Sequence, residues 1–270
     1  MSMMLHRAGI MAGAQRLHPM TRDYIARLQA VDGHEPVFDA ANDYLIRELV
    51  NLGGAYWDTM GTMTTLCGKL FAGLLVPLRD GMNVGTNINF VSGDFNSKTG
   101  LVGDGSSKYI NSNRNNNADG QNDHALGAWV TALPSATGVR GLIGSNSTTD
   151  INIGSSGIFR SGMHTTAYQV RSRFTEVSDP FNVSSTADAL GLVAISRSAG
   201  SNFTFRAKGA NTTVTGDSMT PGNFETHVLR SQTFYGNQRI TLYHIGPALN
   251  LATLDGILTE YMARIEEATL

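Results

Sequence analysis

The chain has 270 residues, a formal charge of −2 from 20 basic and 22 acidic side chains, and only 16% charged residues. With no basic cluster it carries no electrostatic footprint for nucleic acid or an anionic membrane. The single cysteine, Cys67, excludes an intrachain disulfide and a cysteine-built zinc site.

The opening segment, MSMMLHRAGIMAGAQRLHPM, has no continuous apolar run, so no secretory signal is expected. The longest apolar stretch, Leu66 to Leu78, is broken by Lys69 and is too short to cross a bilayer. A protein made in a cytoplasm and soluble there is the expectation. A weak repeat follows: Asp23-Tyr24-Ile25-Ala26-Arg27 runs on to Gly33, and Asp43-Tyr44-Leu45-Ile46-Arg47 runs on to Gly53-Gly54. Tyr24, Ile25 and Leu28, then Tyr44, Leu45, Leu49 and Leu52, stand at helical spacing and predict an α-hairpin. Asp39 or Asn42 is the expected N-cap of its second helix, and Gly53 suits the C′ position. Met60, Met63, Leu66, Leu70, Phe71, Leu74 and Leu75 predict a third helix within Tyr56–Leu78, against the helix-weakening glycines at 61, 68 and 73. The composition then turns to Gly, Asn, Ser and Asp, which places a boundary near Arg79–Gly81. Residues 1–80 read as a helical arm for anchoring and self-association, and residues 81–270 as a β-sandwich.

The passage Gly100 to Leu133 opens that sandwich. A glycine turn (Gly103-Asp104-Gly105) leads to a short strand at Lys108–Ile110, an Asn-crowded loop, and a buried strand over Leu126–Leu133. Further strands are expected at Val139–Gly144, Asp150–Ile153, Gly157–Arg160, Thr166–Arg173, Ala189–Ser196, Asn202–Lys208, Glu225–Arg230 and Arg239–Ile245. Gly154-Ser155-Ser156-Gly157 reads as a turn, as does Ala199-Gly200-Ser201. Phe203 and Phe205 alternate with polar neighbours, the mark of a half-buried strand; Thr226, Val228, Leu242 and Ile245 are expected inward. The stripe Leu251, Leu254, Ile257, Leu258, Tyr261, Met262 and Ile265 predicts a closing amphipathic helix capped by Asn250. The fold class is mainly β: an antiparallel jelly-roll sandwich with an N-terminal helical arm and a C-terminal helix.

Chemistry is thinly marked. Asn115 to Gly120 fits the first six positions of an EF-hand, but the carboxylate due at position 12 is Leu126, so that reading fails. A looser Ca²⁺ site would use Asp119 and Asp123 with Asn122. The plainer reading is an exposed turn-rich loop, and Asn113, Asn115, Asn117, Asp119, Asn122 and Asp123 would there bond sugar hydroxyls. Glycoside hydrolysis needs two placed carboxylates, and only Glu176 and Glu225 are glutamates inside the expected sandwich. The seven histidines form no HxxxH or HxH pair, and no Gly-x-Ser-x-Gly elbow exists. Trp129 reads as core, and Trp57, with Tyr24 and Tyr44, as an assembly surface.

Four features together resemble tail-associated and head-appendage proteins of tailed bacteriophages that carry a concanavalin-A-like (laminin-G-like) sandwich. They are the Tyr44-x-x-Arg47 helix ending in Gly53-Gly54; Thr99-Gly100-Leu101-x-Gly103-Asp104-Gly105 through Ile110 with the Ala128-Trp129-Val130 strand; Ile195-Ser196-Arg197-Ser198 followed by Phe203-x-Phe205; and Tyr243-His244-Ile245-Gly246 before the last helix. The metal-binding acids of legume lectins and the calcium aspartates of laminin-G modules have no matching residues. The resemblance implies a non-enzymatic virion component without a cofactor, partnered by other virion proteins and its own copies. A host-surface glycan receptor module and a polysaccharide depolymerase are the alternatives. On this reading a chain lacking residues 1–55 keeps a folded sandwich but no longer joins the particle.

Overall fold

The structure, a computed structural model, describes residues 16–133, 138–145, 154–160, 167–174, 181–184 and 190–269. Helix α1 (Pro19–Gln29) begins on a proline, whose missing N–H costs nothing at that position, and α2 (Asp39–Asn51) buries Leu45, Ile46 and Leu49. Neither Asp39 nor Asn42 caps α2. Asp39 already lies in its first turn, 2.8 Å from His34 Nε2, and Asn42 is buried, donating to Gly68 O. Gly53 follows the C-cap at φ +118, in the position expected of it.

The third helix is corrected. Helix α3 (Gly54–Thr59) is short, and strand β1 (Thr62–Thr65) follows, antiparallel to residues 242–245. The apolar spacing there fits a helix, but a run of β-branched threonines beside an available strand partner decides for extension. Gly61 permits the approach, because a Cβ would strike the Ile245 carbonyl oxygen.

Next come β2 (Thr86–Ile88), β3 (Phe95–Asn96), β4 (Gly100–Val102), β5 (Tyr109–Asn115), β6 (His124–Ala132) and β7 (Arg140–Ser145). They are followed by β8 (Ser155–Arg160), β9 (Ala167–Phe174), β10 (Phe181–Ser184), β11 (Gly191–Arg197), β12 (Asn202–Ala207) and β13 (Ala210–Thr215). The chain ends with β14 (Glu225–Val228), β15 (Arg230–Ser231), β16 (Phe234–Tyr235), β17 (Arg239–Gly246) and α4 (Leu251–Glu267). One sheet runs β13-β12-β11-β6-β17-β4-β3, with β1 also on β17; the second runs β10-β9-β8-β7-β14-β5-β2; β15 and β16 form a separate hairpin. Ser155–Gly157, expected as a turn, is instead the bulged start of β8. The strand expected at Asp150–Ile153 lies outside the described residues.

Two sheets face each other across one core. Leu126, Ala128 and Val130 of β6, Val193 and Ile195 of β11, and Phe203 and Phe205 of β12 meet Ile143, Ile158, Val170 and Val228 of the second sheet. Strand alternation puts Leu192 and Ala194 on the opposite face, where α1, α2 and α4 cover them. Leu242 joins this outer cluster rather than the inner core, because register shifts in the β17–β6 pairing on either side of Ile240 change its parity. Asn250 caps α4 as expected, accepting from Ala252 N and Thr253 N. The helices of the expected arm therefore bury their stripes against the first sheet of their own chain, and β1 is a strand of that sheet. Among the described residues no helix is long and apolar enough to cross a membrane.

Candidate functional site

The Asn-rich segment is not one exposed loop. Asn113 and Asn115 belong to β5, where Asn113 (φ +52) donates to Val84 O and Thr86 Oγ1, and Asn115 donates to Asn223 Oδ1. Asn117 is exposed; Asn122 accepts from Ser218 Oγ at 2.5 Å, and Asp123 accepts from Ala248 N at 2.7 Å. Asp119 is buried. Its carboxylate pairs with Arg114 and stands 3.6 Å from His124 Nδ1, so the expected calcium pair faces two unconnected partner sets. Among the described residues no group of three His, Cys, Asp or Glu could hold a metal.

Burial alone would raise the Asp119 carboxyl, but His124 and Arg114 outweigh it and hold it at about 2. Burial, reinforced by Arg173, pushes His124 down to about 4, and burial pushes His244 down to about 3. This cluster is interior architecture. The expected assembly surface is corrected as well: Tyr24 and Trp57 are buried at 0% and 4% exposure, and the Tyr44 ring lies 4.3 Å beneath the Arg264 guanidinium of α4.

The surface the sequence did not mark lies on the outer face of the second sheet. Tyr109 and Tyr235 meet edge-on with centroids 6.0 Å apart, and the Arg230 guanidinium caps both, 4.8 Å from the Tyr109 centroid and 5.0 Å from that of Tyr235. Cation–π contact with both rings anchors the guanidinium at this surface. Its Nε donates to Gln232 O, and its terminal nitrogens have no hydrogen-bond partner among the described residues. Beneath, the buried His227 ring stacks 4.7 Å from Tyr109; burial and then Arg230 lower it to about 4. Beside it, Asn111 Nδ2 donates to Glu225 Oε2 at 2.8 Å, and the Glu225 side chain is 49% exposed. Phe234, exposed at the hairpin tip, packs edge-on against Phe159.

The β15–β16 hairpin supplies Arg230 and Tyr235, and its seat explains their placement. Leu229 and Gln232 adopt φ +59 and +53, a strained choice for side-chain-bearing residues. The strain is held by Leu229 N to Leu142 O, Gly236 N to Leu229 O and Gln232 N to Ser145 O. Below lies Gly141, where a Cβ would strike the Phe234 carbonyl and the Ser231 nitrogen. The sequence pattern predicts one strand over Glu225–Arg230, and two-residue strands leave no periodicity to read. The only available signal was the string Arg230 to Gly236, with two aromatics, an arginine and a closing glycine in seven residues.

A second concavity, about 610 Å³, lies between the first sheet and α4 and is lined by Trp129, Leu190, Met262, Lys98 and Glu266 among others. Trp129, expected in the core, is half-buried here. The nearby polar groups are occupied: Thr131 Oγ1 donates to Thr99 O, Thr259 Oγ1 to Asp255 O, and Lys98 Nζ to carbonyls at the end of α4. That leaves a largely apolar groove with little to orient a polar ligand.

No protein-family model and no curated protein sequence matches the chain. Solved structures do. The chain is similar to botulinum neurotoxin type C, described as relying on two ganglioside molecules for cell entry, with a TM-score of 0.52 and 11% identity over 76% of this chain and 51% of that one. It is also similar to the binding domain of botulinum neurotoxin serotype D, with a TM-score of 0.50 and 9% identity over 76% and 52% of the respective chains. A Trypanosoma rangeli sialidase in complex with sialic acid aligns more loosely, at a TM-score of 0.46 and 10% identity, over 77% of this chain and 33% of the other. The chain thus spans about half the length of the neurotoxin chains. At such identities the likeness establishes the fold alone: a β-sandwich.

Proposed function

We propose that this chain is a non-enzymatic carbohydrate-binding β-sandwich that contacts glycans through Tyr109, Asn111, Glu225, Arg230 and Tyr235. The observation that carries the reading is the Arg230 guanidinium held against two half-exposed tyrosine rings, with its terminal nitrogens unpartnered among the described residues. A pyranose offers hydroxyls that both donate and accept, and an apolar face of C–H groups. The Arg230 N–H groups donate, the Glu225 carboxylate accepts, and the half-exposed Tyr235 ring takes the apolar face. The likeness to neurotoxin binding domains, one of them described with two gangliosides, supports the same reading.

Glu225 is bonded to Asn111 and stands 3.7 Å from His227, an arrangement suited to holding a ligand rather than donating a proton to one. Glu176, the other carboxylate of the depolymerase alternative, lies outside the described residues. The finer placement of the module on a phage particle, touching host glycans beside sister copies and other virion proteins, rests on the sequence resemblance alone. Immunogold labelling of intact particles tests that placement.

Glycan-array screening followed by calorimetric titration tests the binding reading. Arg230→Ala removes a charge-assisted hydrogen bond of about 1.5–3 kcal/mol, so affinity should fall roughly tenfold or more. Asn117→Ala, away from this surface, should leave affinity unchanged. A wild-type chain that binds no glycan, or an Arg230→Ala chain that binds as tightly as wild type, rejects the proposal.

A further inference from the structure

Two arginines are fully buried in the sandwich, and their surroundings differ. Arg197 is satisfied by carbonyl oxygens: its Nε donates to Ser172 O, Nη1 to the Ala199, Gly200 and Asn202 carbonyls, and Nη2 to Gly216 O. Its guanidinium also lies 5.1 Å over the Phe203 ring. Arg173, equally at 0% exposure, makes one side-chain hydrogen bond, Nη2 to Asp119 O at 3.2 Å. Its Nε and Nη1 have no hydrogen-bond partner among the described residues.

Arg173 is held there at a cost. It occupies a bulge in the β8–β9 pairing with φ +57, a conformation unfavourable for a residue with a side chain. Its backbone N donates to Ser156 Oγ, and its carbonyl accepts from Met219 N. Such strain is retained where the surrounding structure fixes a side chain in one direction.

Among the described residues the charge balance around Arg173 is incomplete. Arg114 and Arg197 press further positive charge on Arg173, and Asp119 is the negative charge that opposes them. Arg114 takes that carboxylate through Nε and Nη2. His124 and His244 are neutral at physiological pH because burial lowers both. His124 Nδ1 faces Asp119 Oδ2 at 3.6 Å, while Nε2 of His124 and Nε2 of His244 are buried without hydrogen-bond partners among the described residues. A buried guanidinium is ordinarily paired, and unsatisfied buried polar atoms call for an unseen water or ion. Water would satisfy the N–H groups but not the charge. A small anion does both.

We propose that Arg173 binds a small monovalent anion of chloride size inside the sandwich through its Nε and Nη1. The site is separate from the Tyr109–Arg230–Tyr235 surface and stands or falls independently of glycan binding. Chloride taken up there neutralises the free guanidinium and locks the Asp119 segment, which Arg173 grips through the Asp119 carbonyl.

The test uses the full chain at neutral pH and constant ionic strength, with sodium chloride exchanged for sodium gluconate. Melting temperature should rise with chloride and saturate, by roughly 2–4 °C or more. Crystals grown in bromide should show an anomalous peak beside Arg173 Nε and Nη1. Arg173→Met, where it folds, should lose the halide response. If it does not fold, the wild-type melts and the bromide peak decide alone. Melting temperatures that do not distinguish chloride from gluconate, with ordered water only at Arg173, overturn the proposal. So does an Arg173→Met chain that keeps the halide response.

Discussion

Three buried histidines make this fold acid-sensitive in a calculable way. His124, His227 and His244 are 0%, 2% and 2% exposed. Burial lowers them to about 4, 4 and 3, from an ordinary value of 6.5. Arg173 and Arg114 near His124, and Arg230 near His227, push the same way; Asp119 opposes them at His124 and His244. A group with a depressed folded value loses stability as pH falls, because the unfolded chain takes up the proton first. Above pH 6.5 none of the three discriminates. Between that point and pH 4, each removes about 1.4 kcal/mol per pH unit, or about 3 kcal/mol in all. His124 and His244 share neighbours, so their effects are not simply additive. Even two such losses rival the roughly 5–15 kcal/mol of a typical domain. Asp119, held at about 2, adds its own loss below about pH 4. Urea unfolding at pH 7.5, 6.5, 5.5 and 4.5 should therefore show a flat upper limb and then a steep decline. His244→Gln, if it folds, should shallow the decline by about one proton's slope. Unfolding free energy that stays level from pH 6.5 to pH 4.5 would refute the burial of neutral imidazoles.

Two further perturbations separate packing from surface. Deleting residues 1–55 removes Tyr24, Leu28, Phe38, Leu45, Ile46 and Leu49, all at 0% exposure, and uncovers the outer face of the first sheet. At about 1.5–3 kcal/mol per buried side chain the loss is on the order of 10 kcal/mol, so the truncated chain should be aggregated or unfolded by circular dichroism and gel filtration. A soluble truncated sandwich with a cooperative melt would show that the helices are a removable arm after all. Gly141→Ala forces a methyl group into the hairpin backbone, and overpacking of this kind costs about 1–3 kcal/mol. Its melting temperature and glycan affinity should fall together, while Gly93→Ala, with open space around it, should alter neither.

Local pattern reveals part of this molecule. The stripe on α4, its Asn250 cap, and the alternation of Phe203 and Phe205 are readable, because a helix face or a strand face is a short-range property. Strand β1 is not, since Met60, Met63 and Leu66 keep helical spacing and only the distant β17 makes extension favourable. The two tryptophans exchange roles for a related reason. Trp57 is covered by helices, and Trp129 lies on the helix-facing side of β6, facts of tertiary packing rather than of local composition. Asp119 sits in a polar string that suggests exposure, yet Arg114 and Arg173 draw it inside. The candidate surface joins Tyr109 to Arg230 and Tyr235 across two strands and a hairpin, a meeting that no window of sequence contains.

The location of a bound oligosaccharide is the most direct test of the binding account. A glycan selected on an array, titrated into isotope-labelled protein, should shift backbone amide resonances of Tyr109, Asn111, Glu225 and Arg230 to Tyr235. Those of Asn117, Trp129 and Met262 should stay in place. Saturable shifts confined to the Trp129 groove, or to Asn117 through Asp123, would contradict it.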